Sequence, residues 1–288
     1  MVKGRLVECH YFSSSMQYHL KLFTKLFISN KTNLIYINLK IGYKDNMRII
    51  AGVGKNKNVI EAIDQVDFEV VTVESEEELV ELLYNGFADA AIRGSLNASK
   101  IMAKLREKYP KKISRASFID LNGQKFLLAP VGIDEGDDVD QKLRIAENGS
   151  RFLLSIGIKP KLGVLSGGRP QDKGRSKKID ESIEDGELLT SMLLEKLIDV
   201  KNYFILIEDA IADGSNFIIA PDGISGNLIF RSLVLLGGGE GHGAVTLGMD
   251  EIYVDTSRSH DVEGYKRALE FAYFLVKSRK LDRKIRIN

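Results

Sequence analysis

Residues 69–95, EVVTVESEEELVELLYNGFADAAIRGS, hold the pattern that decides the fold. Glu69–Val73 and Ala88–Ile92 are short, apolar and partly β-branched, as buried strands are. Between them Ser75 and Glu78 form an S-x-x-E capping box, which opens a helix carrying Leu79, Leu82 and Leu83. Arg93-Gly94-Ser95 then turns the chain into a second predicted helix, Asn97–Lys108, with Ile101 and Leu105 directed inward. Strand, helix, strand and helix in this order predict a parallel sheet covered on both faces.

The same rhythm extends outward in both directions. Upstream, Arg48–Val53 reads as the first strand, directly after Met47. Downstream, Ser114–Ile119 and Lys125–Ala129 flank Asn122-Gly123, a turn that predicts an antiparallel hairpin. The acidic run 134–138 is either a divalent-cation loop or a solvated helix start, and leads into a helix ending near Gly157. A second α/β set follows: strand Lys161–Leu165, helix Leu188–Val200, strands near Phe204–Ile207 and Phe217–Ala220, and a helix from Asn227 to Leu236. Glu251–Asp255 and Val262–Ser278 close it as strand and helix. The expected organisation is a first α/β lobe of residues 47–150 plus 255–288, and a second lobe of 151–254.

Residues 1–46 stand apart. They carry a charge of +5 against −4 for the remainder. Gln17–Phe27 reads as a basic amphipathic helix, which allows a membrane-surface anchor, but the simpler expectation is an N-terminal extension packed poorly on the α/β body. The whole chain of 288 residues has a formal charge of +1, which makes no general case for nucleic acid or a membrane surface. Its single cysteine and four histidines, none at helical metal-ligand spacing, provide no zinc or iron–sulfur set, so no metal site is expected. No apolar run reaches the roughly 18 residues of a membrane span, and the start lacks a secretory pattern. A cytoplasmic protein is the expectation.

Three segments carry candidate chemistry. The loop after Leu165, from Ser166-Gly167-Gly168-Arg169 to Lys178, combines glycines with five cations at the carboxyl end of a strand. It is either an anion cradle or a solvated basic loop. The run 237–243, GGGEGHG, lacks a preceding strand and so fails as a dinucleotide fingerprint; within it His242 is an acid–base candidate or a plain loop histidine. In Thr256-Ser257-Arg258-Ser259-His260 the hydroxyls suit helix capping. Arg258 offers a planar fork for phosphate or carboxylate, and Ser257 a hydrogen bond to developing charge.

Several of these segments, in order, resemble the phosphate acetyl/butyryltransferase superfamily: Ala88–Ser95, Ile158–Ser166, Asp185-Gly186-Glu187-Leu188, Pro221-Asp222 with Gly226-Asn227, and Ser257-Arg258. Within it the chain is similar to the methyltransferase-related MtxX family of methanogenic archaea, also called methanogenesis marker protein 4. The resemblance implies a two-lobed, three-layer α/β/α fold of phosphotransacetylase type (isocitrate/isopropylmalate dehydrogenase-like), preceded here by the extension. It also implies a homodimer and an interlobe cleft for a small anionic metabolite or cofactor. Ser257 and Arg258 would be catalytic there, and would face the loop beginning at Ser166. Gly94, Ser95, Ser166, Gly167, Arg169, Asn227 and His242 would bind substrate.

The departures bear on the reaction. Leu235 stands where acetyl-transferring members carry an arginine, Gly264 where they carry an aspartate, and Ser191 where another aspartate follows the D-G-E-L segment. This argues against acetyl transfer between phosphate and coenzyme A. It leaves a methyltransferase-related transferase, or a non-catalytic accessory protein of methanogenic metabolism. No corrinoid motif or S-adenosylmethionine loop in proper context occurs, and the sequence names no cofactor.

Overall fold

The computed structural model describes residues 47–110 and 113–287, with side chains to residue 281. The extension and its helix Gln17–Phe27 lie outside the described residues. A ten-stranded sheet runs through the described chain in the order β2-β1-β3-β10-β9-β4-β5-β8-β6-β7. Its strands are β1 (Ile49–Gly52), β2 (Val70–Val73), β3 (Ala90–Ile92), β4 (Ser114–Leu121), β5 (Gln124–Ala129), β6 (Leu162–Leu165), β7 (Val200–Phe204), β8 (Phe217–Ile219), β9 (Glu240–Leu247) and β10 (Ile252–Asp255). The helices are α1 (Asn58–Ile63), α2 (Glu76–Tyr84), α3 (Ala98–Lys108), α4 (Val139–Ser155), α5 (Lys177–Glu195), α6 (Ile207–Ala212), α7 (Gly223–Phe230) and α8 (Val262–Ile287).

Two parallel strand sets, β2-β1-β3-β10 and β5-β8-β6-β7, are joined by the antiparallel strands β9 and β4. Ile50, Ala91 and Tyr253 face each other across β1, β3 and β10, and pack with Leu79, Leu83, Ile101 and Leu105 of α2 and α3. Alternation turns Val254 to the other face, where α8 lies against the sheet. The local signals behave as their chemistry requires. Ser75 Oγ accepts the Glu78 amide at 3.0 Å, and Asn97 Oδ1 accepts those of Ser99 and Lys100.

Four elements differ from the sequence reading. Strand β7 ends at Phe204, which sits at a φ of +57°, and α6 starts at Ile207 where a strand was expected. Helix α5 begins eleven residues earlier than expected, at Lys177, because Ser176 caps it through the Ile179 amide; the D-G-E-L segment therefore lies inside a helix. The expected helix 227–236 starts at Gly223, capped by Asp222, and finishes in a π-helical turn, Arg231–Leu236. The glycine run 237–243 is largely strand: β9 begins at Glu240 and pairs with both β4 and β10. Glycine-rich composition hides strand propensity, and the pairing is long-range, so periodicity did not reveal it.

The turn between β3 and α3 depends on close backbone approach. Gly94 has φ +58°, and a Cβ there would fall 1.8 Å from the Gly52 carbonyl oxygen. Gly94→Ala is therefore expected to lose about 2 kcal/mol or more of unfolding free energy in urea titration, since left-handed strain alone costs about 1–3 kcal/mol.

Candidate functional site

The carboxyl ends of β3 and β10 open into a cleft of about 380 Å³, where the parallel set meets antiparallel β9. Open α/β sheets place their ligands outside the carboxyl ends of the strands. Register builds its floor: Asp255, Ala244 and Ser117 are direct partners across β10, β9 and β4, so they share a face, and Arg115 lies two residues from Ser117 on that face. Asp255 is bracketed by two guanidiniums. Arg93 Nε lies 2.5 Å from Oδ1, and Arg115 Nη1 lies 3.3 Å from Oδ2. Side-chain exposures of 7% for Arg93, 11% for Asp255 and 15% for Arg115 make this a desolvated set, in which each charge needs its partner.

The set continues on the other side of Arg115. Glu135, 4% exposed, accepts from Arg115 Nε and from the Arg115 amide, both at 2.8 Å. Arg106 of α3 pairs with Asp134 at 2.7 Å. The carboxylates of Glu135 and Asp255 hold the Arg115 guanidinium even more firmly protonated than usual, against the opposing effect of its burial. In the acidic run Asp134 and Glu135 meet arginines, and Asp138 caps α4 through the Gln141 amide at 2.7 Å.

Two further arginines line the cleft, both exposed. Arg258 leaves the end of β10, and Arg231 comes from the π-helical turn together with Leu235. Asn227 of α7 lines it as well, with Nδ2 donating to the Val131 carbonyl at 2.9 Å. Helix α7 reaches this position because Gly226 lets it close on the 130–132 segment; a Cβ there would lie 1.9 Å from the Pro130 carbonyl oxygen.

The structure brings Ser257, Arg258 and Asn227 together in the lining. Ser257 Oγ lies 3.0 Å from Ser259 Oγ, and the Ser257 carbonyl accepts from Tyr265 at 3.0 Å. Gly94 and Ser95 stand behind this segment. The Gly94 carbonyl accepts from Thr256 at 2.7 Å; Ser95 Oγ accepts from the Gly54 amide at 2.7 Å and donates to the Asn56 carbonyl at 2.9 Å. Asn56 Nδ2 in turn donates to the carbonyls of Arg258 and His260, each at 3.0 Å. Their observed contacts position the site residues.

Ser166, Gly167 and Arg169 are not in the lining, to which α7 and the π-helical turn contribute Asn227, Phe230, Arg231 and Leu235. The Ser166 amide donates to Phe204 and the Gly167 amide to Ser182 Oγ. Arg169 and Arg175 share Asp172, Lys173 pairs with Glu187 and Lys177 with Glu181. Most of the cations in this loop are thus matched within the loop and α5.

His242, expected on a loop, sits in β9 with its ring 5.0 Å from that of Phe118. It too is absent from the lining, and burial with a lesser contribution from Arg267 pushes its pKa down to about 4. Sequence reading missed Arg93, Arg115, Arg231 and Asp255. The available signal was charge within or at the end of apolar strands, in SRASFIDL and IYVD.

Comparison with known proteins places this geometry in a family. The chain is 51% identical over 201 residues, 68% of its length, to 74% of a Methanosarcina barkeri protein named "Putative methyltransferase mtx subunit X". The chain belongs to the MtxX family. A Methanocaldococcus jannaschii protein named "Uncharacterized methyltransferase" is 41% identical over 233 residues, covering 76% of this chain and 94% of that one. No family model matches the chain. Among solved structures, a branched-chain phosphotransacylase from Enterococcus faecalis aligns with a TM-score of 0.61 at 18% identity, covering 80% of this chain and 99% of that chain. A Streptococcus pyogenes phosphotransacetylase aligns with a TM-score of 0.58 at 15% identity, over 82% and 94% of the two chains. The fold is therefore of phosphotransacetylase type. Among the described residues no helix is long and apolar enough to cross a membrane.

Two outcomes test the buried groups. Arg115→Ala leaves Glu135 and Asp255 short of a partner and is expected to cost about 3 kcal/mol or more in chemical denaturation. His242 has a folded pKa of about 4 against an ordinary 6.5, so the unfolded chain binds more protons between these values. Its contribution, about 3 kcal/mol by linkage, is complete above pH 6.5 and is lost as pH falls through 4. His242→Gln should flatten the stability profile in that window.

Proposed function

We propose that this MtxX-family protein is a transferase of methyltransferase type, acting on a small phosphate- or carboxylate-bearing ligand held in the arginine-lined cleft. The observation that carries the reading is the composition of that lining. Four arginines (93, 115, 231 and 258) and one carboxylate, Asp255, line the cleft; Asp255 and Glu135 match Arg93 and Arg115, so the exposed Arg231 and Arg258 supply the positive surplus for an anion. Arg93 and Arg115 are already oriented by Asp255, so little ordering cost remains when the ligand arrives. Ser257 and Asn227 add hydrogen-bonding groups beside them.

Acetyl transfer from acetyl phosphate to coenzyme A is not the reaction we propose. Leu235, at the position of the acyl-transfer arginine, lines the cleft with an aliphatic side chain, and Gly264 has no side chain to accept a proton. Arg231 replaces part of the missing charge, four residues away on the π-helical turn. The chain would act as a homodimer in the cytoplasm, without nucleic acid or membrane as partner. What supports self-association is the exposure of the apolar side chains Ile224 and Leu228 of α7 and Leu236 of the π-helical turn. A second reading, a non-catalytic accessory subunit, is favoured by the word "subunit" in the relatives' name.

Thermal shift of the purified full chain against phosphorylated and carboxylated metabolites is expected to find a specific stabiliser. Arg258→Ala should weaken that ligand about tenfold or more, as loss of a charged hydrogen bond worth about 1.5–3 kcal/mol requires. Acetyl phosphate and coenzyme A should give no thioester; Arg258-dependent turnover would restore the acyltransferase reading. Binding without methyl transfer from any tested donor would favour the accessory subunit.

A further inference from the structure

Six titratable side chains line the cleft: the four arginines, Asp255 and His260. Arginines do not deprotonate in proteins. Asp255 is already shared by two guanidiniums and the Thr256 amide. That leaves the imidazole of His260 as the lining group able to exchange a proton near neutral pH.

The ring occupies a space made for it. Gly264, in the first turn of α8, is packed so closely that a Cβ there would stand 2.6 Å from His260 Nδ1. A side chain at 264 and an imidazole in this position exclude each other. Tyr265 holds the ring edge-on at 5.6 Å between centroids, while Asn56 and Asn58 fix the His260 carbonyl at 3.0 and 3.2 Å. Among the described residues neither ring nitrogen has a hydrogen-bond partner, neither is an orphan sealed in the core, and His260 lines the cleft.

We propose that His260 is the proton-exchanging group of the cleft, taking up a proton when a dianionic group occupies the arginine cluster and returning it on release. The inference rests on the anion-binding reading above and adds to it an acid–base residue. The charged groups facing the ring are Arg267 of α8, Arg93 at the end of β3, Asp255 at the end of β10, and its neighbour Asp261. In the empty cleft burial dominates, and with Arg267 and Arg93 it holds the ring's pKa below its ordinary value, so the imidazole is neutral at pH 7. A dianion among the arginines reverses the sign of the local field and favours the imidazolium. The proton comes from solvent, and its acceptance neutralises part of the ligand's charge. Tyr265, pushed up to about 12, stays protonated throughout.

Inorganic sulfate is a suitable probe, being a dianion that does not itself titrate near neutral pH. Calorimetric titration of the full chain with sulfate, at pH 6 in two buffers of different ionisation enthalpy, reads the protons taken up. The expected result is uptake of a substantial fraction of one proton, with sulfate affinity rising several-fold from pH 7.5 to 5.5. His260→Gln should abolish the uptake and flatten the pH dependence while retaining sulfate binding at pH 7.5. Sulfate binding without proton uptake in the unaltered chain overturns the proposal and leaves the anion cleft standing, whether or not the variant folds. Equal uptake in His260→Gln overturns it as well. Failure of sulfate to bind the unaltered chain at all overturns the anion-cleft reading, and this proposal with it.

Discussion

The pairing of Asp255 with Arg93 and Arg115 is the constraint on which the rest of the site depends. It ties together the ends of β3 and β10 and the start of β4 at the point where the parallel strands give way to β9 and β4. Three charges at 7–15% exposure are costly to desolvate, and their mutual attraction offsets that cost only in good geometry. The sheet register supplies this geometry by placing Asp255 and Ser117 in one cross-strand row. Glu135 and Asp134 extend the set to α3 through Arg106, so the acidic segment before α4 is tied to the cleft through Arg115.

Around this centre the backbone is held mainly by uncharged hydrogen bonds. Ser95 fixes the loop after β1, Asn56 of that loop fixes the carbonyls of Arg258 and His260, and Thr256 reaches back to Gly94. Each contact joins segments far apart in the chain. The 256–260 segment is thus anchored at Thr256, Arg258 and His260 through backbone and hydroxyl groups, while the Arg258 side chain is exposed. Preorganisation of this kind lowers the ordering cost of binding and holds polar groups where charge would develop.

The likeness to phosphotransacylases concerns architecture, and the cleft shows how one architecture accommodates a different set of groups. Leu235 and Arg231 both reach the lining because the end of the helix after α7 widens into a π-helical turn, a feature that recurs at functional sites. Gly264, which has no side chain, leaves the space that the His260 ring fills.

From its sequence alone the protein's α/β class, most of its strands and the cap at Ser75 were legible, and the motif residues Ser257, Arg258 and Asn227 line one cleft. These features rest on local periodicity, capping chemistry and short ordered motifs. Tertiary structure decided the remainder. Arg115 and Asp255 are 140 positions apart, and nothing local to either announces the other. Strand β9 exists because β4 and β10 offer it partners on both sides, although its glycines alone suggest a loop. The cations after Ser166 looked available to a ligand in sequence, yet Asp172, Glu187 and Glu181 neutralise most of them once α5 folds alongside. A charge's role depends on which opposite charge lies within a few ångströms, and that distance is set only when the chain closes on itself.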